Sequence, residues 1–97
     1  MAIQSFGDRR TEDVWNGLDN TRTRSLPSTI LKVARRKLDM LNAAKTLEDL
    51  KAPPGNHLEA LKGSLKGFHS IRINSQWRIV FRWTESGPAE VQIVDYH

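Results

Sequence analysis

Gly67 to Trp83, GFHSIRINSQWRIVFRW, decides the architecture. Phe68 to Ile73 and Gln76 to Trp83 have the two-residue alternation of strands, and Asn74-Ser75 between them has turn chemistry, so the segment predicts an antiparallel hairpin. In its second strand Trp77, Ile79, Phe81 and Trp83 share one face, while Gln76, Arg78, Val80 and Arg82 share the other. The aromatic face reads most simply as core; stacking of Trp77, Phe81 and Trp83 on nucleic-acid bases is the alternative. Past a turn from Thr84 to Ala89, which contains Gly87-Pro88, the chain returns as a strand over Glu90 to Tyr96 and reaches His97.

Working outward, His57 to Leu61 is a short candidate strand, followed by the glycine-bounded turn KGSLKG, Lys62 to Gly67. Before it, Pro53-Pro54-Gly55 stops the preceding element, because neither proline donates a backbone hydrogen bond. Thr46 to Leu50, TLEDL, predicts one capped helical turn. A main helix is expected from Ser28 to Ala44, with Ser28 as its cap and Leu31, Ala34, Leu38 and Leu41 as its buried stripe. Its other side carries Lys32, Arg36 and Asp39, flanked by Arg35. Leu18 to Leu26 is polar and aperiodic and predicts a mobile loop, in which Arg22 and Arg24 are open to a partner. Asp8 to Gly17 predicts a helix anchored by Val14 and Trp15, and Ala2 to Phe6 a short strand. The expected fold is α+β, a small antiparallel-dominated sheet with two main helices packed on one face.

With 97 residues the chain predicts a single domain, residues 1–97, large enough to fold without disulfides or metal. A 38% apolar and 27% charged composition is that of an ordinary soluble protein. No apolar run approaches the ~18 residues that span a bilayer. MAIQSFGDRR lacks the order of a secretion signal, and the absence of cysteine fits a reducing cytoplasm. The net charge of +4 is unevenly placed. Between Lys51 and Arg82 six basic residues face one acid, Glu59, whereas residues 1–50 hold nine basic and seven acidic groups. A positive C-terminal half suits RNA or an acidic protein partner; a solvated basic surface is the plain alternative.

Cleaving RNA without a metal requires a base for the 2′-hydroxyl proton, cations for the phosphate, and an acid for the leaving oxygen. Arg78, fixed in mid-strand, has a planar fork that fits two phosphate oxygens. Its alternative is an ion pair with Glu90 or another neighbouring-strand acid. Arg72 and Arg82 can line the same face, with surface pairing as their alternative. Tyr96 and His97 follow directly on a strand and offer proton-transfer groups. Glu59 is either a base or the countercharge of Lys62 or Arg78. His57 and His69 read individually as structural or exposed. They lie too far apart, with Glu59 alone between them as a further ligand, to form a metal set, and no metal or cofactor is expected.

Several pieces together resemble one family: Ser5-Phe6, RKLDML (Arg36 to Leu41), PPGNHLEALKG (Pro53 to Gly63), SIRIN (Ser70 to Asn74), QWRIVF (Gln76 to Phe81) and VDYH (Val94 to His97). They are similar to the HigB-type toxins of bacterial type II toxin–antitoxin systems, in the RelE-like group. The resemblance implies a microbial-ribonuclease-like α+β fold, cleavage of messenger RNA on translating ribosomes, and neutralisation by a helix-turn-helix, HigA-like antitoxin in a hetero-oligomer. It maps the cleavage site onto Arg78, Asp95, Tyr96 and His97. Lys62, Lys66, Arg72, Arg82 and His57 are, from their charge and placement, the expected RNA contacts. Some relatives carry a catalytic histidine just before the LKG turn. This chain has Glu59 there, with His57 two residues earlier on the expected strand, so either Glu59 takes the base or acid role or Tyr96 and His97 carry proton transfer. Two other functions fit the same fold: a toxin that poisons a protein such as gyrase, and a non-catalytic module binding RNA or antitoxin.

Overall fold

The protein is described here by a computed structural model of residues 2–96. In chain order its elements are helices α1 (Arg9–Trp15), α2 (Thr21–Arg24) and α3 (Ser28–Ala43), then strands β1 (Glu59–Ala60), β2 (Phe68–Arg72), β3 (Trp77–Thr84) and β4 (Gly87–Asp95). Three short 3-10 turns, Leu47–Lys51, Pro54–Asn56 and Gly63–Leu65, connect α3, β1 and β2. The strands form one antiparallel sheet in the order β1-β2-β3-β4.

The hairpin expected from the sequence is its centre. Arg72 pairs with Arg78, Ile71 with Ile79 and Ser70 with Val80. Asn74 closes the turn, its Oδ1 accepting from the backbone nitrogens of Gln76 and Trp77, each at 2.8 Å. That local bonding is what favours asparagine in such turns. Strand parity holds: Trp77, Ile79 and Phe81 are buried and Arg82 is exposed. Val14, Ala34, Leu38 and Leu41 from the helices meet Ile71, Ile79, Phe81, Val91 and Ile93 from the sheet in one core. Each of the large side chains there contributes about 1.5–3 kcal/mol by leaving water.

Several boundaries differ from expectation, each for a physical reason. Gly87 and Pro88 belong to β4, and the β3–β4 turn is only Glu85-Ser86. Pro88 is tolerated in this strand because its carbonyl, which accepts from Gln4 N at 2.8 Å, is the group the neighbouring segment uses. The β3–β4 register then slips between Val80 and Arg82, where Glu90 adopts φ 53 and its N–H bonds the Ser5 hydroxyl at 2.9 Å. Beside this bulge the expected strand Ala2 to Phe6 reduces to a single parallel bridge, Phe6 to Val91. The segment still covers the outer edge of β4, with Gly7 N donating to Val91 O and Val91 N to Ser5 O.

Leu18 to Leu26 is not a free loop. It contains α2, whose Asn20 and Thr23 form a reciprocal capping box, with Thr23 buried. Asp13, itself buried, receives Arg22 Nε at 2.6 Å and Asn20 Nδ2 at 3.0 Å. Those two donors hold its carboxyl below the usual carboxylate range. Arg24 is paired with Asp19 at 2.9 Å, so neither arginine of this segment stands open. In α3 the cap position is Pro27, not Ser28, and there is no side-chain cap bond. The buried stripe runs through Ile30, Ala34, Lys37, Leu38 and Leu41, with Leu31 only half-buried at its edge. The turn expected at Thr46 to Leu50 is present, with Asp49 Oδ2 accepting from Lys45 N and Thr46 N at 2.9 and 3.1 Å.

The expected strand His57 to Leu61 shortens to β1, Glu59–Ala60. His57 has φ 43 and terminates the Pro54–Asn56 turn, so it does not share a strand face with Glu59.

Candidate active site

Arg78 leaves β3 on the face away from the helices, where an unpaired guanidinium would point into solvent. Here its side chain is only 12% exposed. Nη1 donates to Ser70 Oγ at 2.8 Å and to the His57 carbonyl at 3.1 Å, and Nη2 donates to Glu59 Oε1 at 3.3 Å. The Tyr96 ring lies over it, 5.6 Å from centroid to Cζ. The register explains the assembly. Ser70 is paired with Glu59 on one side and with Val80 on the other, one alternate position from Arg78. Val94 faces Arg78 across β3–β4, and Tyr96, two residues on, shares its face. The backbone of Tyr96 is tied back to Gln76 O at 2.6 Å.

Arg72 stands directly opposite Arg78, which puts the two Cβ atoms about 5 Å apart on one face. Among the described residues the Arg72 side chain has no hydrogen-bond or ion-pair partner. Like charges in directly opposed positions destabilise a sheet, so this pair is an electrostatic cost that an anion would relieve. Arg78, Arg72, Glu59 and Tyr96 are therefore brought together.

Other expected site residues sit elsewhere. Arg82 is four residues from Arg78, about 13 Å along the strand, and is paired with Glu90 at 2.8 Å. Lys62 and Lys66 are exposed in the turn at that same end of the sheet. His57 contributes its carbonyl and not its ring. Asp95 pairs in register with Trp77, so it has the opposite parity to Tyr96, and it accepts from Gln76 Nε2 at 3.2 Å. His97 lies outside the described residues. His69 stacks on Phe81 with centroids 6.2 Å apart, toward the core.

A family model described as the RelE-like toxin of the type II toxin–antitoxin system HigB matches residues 4–97. The chain belongs to the HigB-like toxin family. Over 85 residues this HigB-like toxin is 44% identical to Toxin HigB-1 of Vibrio cholerae serotype O1, covering 88% of its own length and 86% of the relative's. It is also 43% identical over 58 residues to an uncharacterized protein of Haemophilus influenzae, covering 60% and 57% of the two chains. Among solved structures, the YoeB/ParE toxin from Agrobacterium tumefaciens matches 100% of the chain with TM-score 0.53 at 18% identity, a likeness of fold alone. The fold is thus the α+β, RelE-like one. A type II toxin implies an antitoxin partner, and the HigB/RelE-like group is broadly of ribonuclease type.

Two groups in this HigB-like toxin escaped the sequence reading. Ser70 is fully buried and is the nearest acceptor to Arg78. Serine in an alternating strand reads as a surface residue, and the register that sets Ser70 beside Glu59 and under the Arg78 guanidinium leaves no mark in the sequence. Lys37 and Asn56 form a buried pair beneath the Pro54–Asn56 turn. Here a signal existed, because Ile30, Ala34, Lys37 and Leu41 recur at four, three and four, which places a lysine on the apolar stripe.

Proposed function

We propose that this toxin is a metal-independent endoribonuclease that cleaves messenger RNA on the translating ribosome and so stops translation and growth. What supports the reading is the opposed pair Arg72 and Arg78, one guanidinium unpartnered and the other held in place, beneath an exposed tyrosine. The scissile phosphate sits across the two forks. The 2′-oxygen attacks phosphorus, its proton passes to a base, the 5′-oxygen leaves with a proton from an acid, and a 2′,3′-cyclic phosphate remains. Arg78, assisted by Arg72, stabilises the charge on the phosphate oxygens. Tyr96 and His97 share proton transfer, with Asp95 orienting one of them. Glu59, at the position of the histidine in some relatives, is within reach of the same phosphate as a base, and this exchange makes catalysis weak. Lys62, Lys66, Arg82 and His57 extend the RNA track along the sheet. The functional unit is a single domain over residues 1–97, acting in the cytoplasm and held inactive by a helix-turn-helix, HigA-like antitoxin in a hetero-oligomer.

The test is induction in cells followed by mapping of transcript 5′ ends. Codon-associated cuts are expected. Arg78→Ala should lower cleavage about 10²–10³-fold, the usual effect of removing one preorganised charge-stabilising donor. Growth arrest with intact transcripts, or full toxicity of Arg78→Ala, overturns the reading. DNA breaks with intact transcripts would point to a gyrase-type target.

A further inference from the structure

Arg78 is oriented partly by a main-chain carbonyl, and what fixes that carbonyl lies in the core. Lys37, on the buried stripe of α3, is 6% exposed. Its Nζ donates to Asn56 Oδ1. Among the described residues no carboxylate pairs with it, and its charged neighbour is the like-charged Arg36. Burial pushes the Lys37 ammonium below its ordinary range. A buried ammonium without a countercharge is an expensive way to fill space, since a methionine of similar length would pack there without the desolvation cost.

Asn56 shows where that ammonium is directed. The residue is fully buried, and its Nδ2 donates to the carbonyls of Leu50 and Ala52 at 3.1 and 3.2 Å. Its own backbone nitrogen bonds Pro53 O at 2.9 Å, and that of His57 bonds Pro54 O at 3.1 Å. His57, the next residue, is held in the left-handed region at φ 43, which turns its carbonyl toward Arg78 Nη1. A single peptide bond joins Asn56, whose side chain Lys37 anchors, to His57, whose carbonyl aims the arginine.

We propose that Lys37 and Asn56 are positioning residues for Arg78: the ammonium on α3 locks Asn56, Asn56 locks the turn, and the turn presents the His57 carbonyl to the guanidinium. The functional consequence rests on the phosphate role of Arg78 given above, while the structural link does not. Locking a charged fork in one geometry matters for catalysis because small misplacements of a reacting group carry large rate losses.

The test uses the full chain and two variants. Lys37→Met removes the donor and keeps the stem; relief of the buried charge offsets part of the cost of leaving Asn56 Oδ1 without a donor, so the variant should stay folded with a melting temperature at or somewhat below the parent's. Asn56→Asp keeps an acceptor for Lys37 and gives it a countercharge, while removing both donors to Leu50 and Ala52. The first readout is ¹⁵N relaxation of the Arg78 Nε–H. It should be as rigid as the backbone in the parent and fall measurably in both variants, toward the level of an exposed arginine such as Arg36, with Ser70 and Glu59 still holding part of the guanidinium. The second is transcript cleavage after induction, expected to drop about tenfold to a hundredfold. An unchanged Arg78 signal in either folded variant overturns the proposal. Failure of both variants to fold also overturns it, by making the pair a requirement of the fold. A loosened Arg78 with undiminished cleavage leaves the positioning intact and refutes the phosphate role instead.

Discussion

At the scale of single residues, the guanidinium of Arg78 serves as a three-sided contact, and its shape matters as much as its charge. Nη1 spans a hydroxyl and a carbonyl while Nη2 meets a carboxylate. A lysine has a point charge and no fork, so Arg78→Lys should lose most of the cleavage that Arg78→Ala loses, while melting close to the parent; the comparison is made by 5′-end mapping beside thermal denaturation. Asp13 gives a second residue-level expectation, this time in pH. Arg22 and Asn20 donate to its carboxylate and lower its folded pKa below the ordinary 3.8. Its stabilising contribution is therefore complete above about pH 4 and is lost as the pH falls through the folded value. Asp13→Asn removes that acid limb, so parent and variant should converge in melting temperature as the pH is lowered from 4 toward 2. Parallel curves would show that Asp13 does not titrate with folding.

At the scale of elements, the α2 turn is the informative one. Four helical residues are too few to persist alone, so α2 depends on the Asn20–Thr23 capping box and on Asp13. Asn20→Ala should cost about 0.5–2 kcal/mol in denaturant unfolding, the ordinary value of a lost cap. The same element shows why part of the fold was hidden in the sequence. β3 and α3 were legible because they bury one face each, and burial leaves a period of two or of three and four. LDNTRTRSL buries Thr23 through its capping box and Leu26 against the core, and two such positions in a polar segment leave no period. β1 shrank for a related reason: the left-handed His57 belongs to the preceding turn, a backbone state that histidine does not announce. In the site, the basic side chains were legible and their grouping was not. The opposition of Arg72 and Arg78 follows from a register set by Asn74, whereas Arg82 lies four residues along β3 from Arg78 and is engaged by Glu90, a partner set by the β3–β4 register.

At the scale of the whole molecule, the basic residues divide between two ends of one sheet face, Arg72 and Arg78 at one, Lys62, Lys66 and Arg82 at the other. A single RNA strand lying along that face meets both. Its affinity should fall steeply with salt, and Arg72→Ala should shallow the plot of log affinity against log salt by about 0.7, the increment for one phosphate contact on a single strand. An unchanged slope in a titration with a short RNA would place the strand elsewhere. The carboxylate of Glu59 gives this binding a particular character. It already occupies part of the Arg78 fork and is itself 52% exposed. On the proposed reading, phosphate uptake would be a ligand exchange, in which an anion carried by the protein leaves and an anion from the RNA enters. A half-exposed ion pair is worth at most about 1 kcal/mol, so the resident anion weakens RNA affinity by no more than about fivefold. Glu59→Gln should tighten RNA binding by up to that factor and, if the carboxylate is also the base, lower turnover in the same variant, separating KM from kcat. Under the proposed mechanism the displaced carboxylate would be left without its cation beside the incoming nucleotide, so the event that seats the phosphate would also set free a proton acceptor.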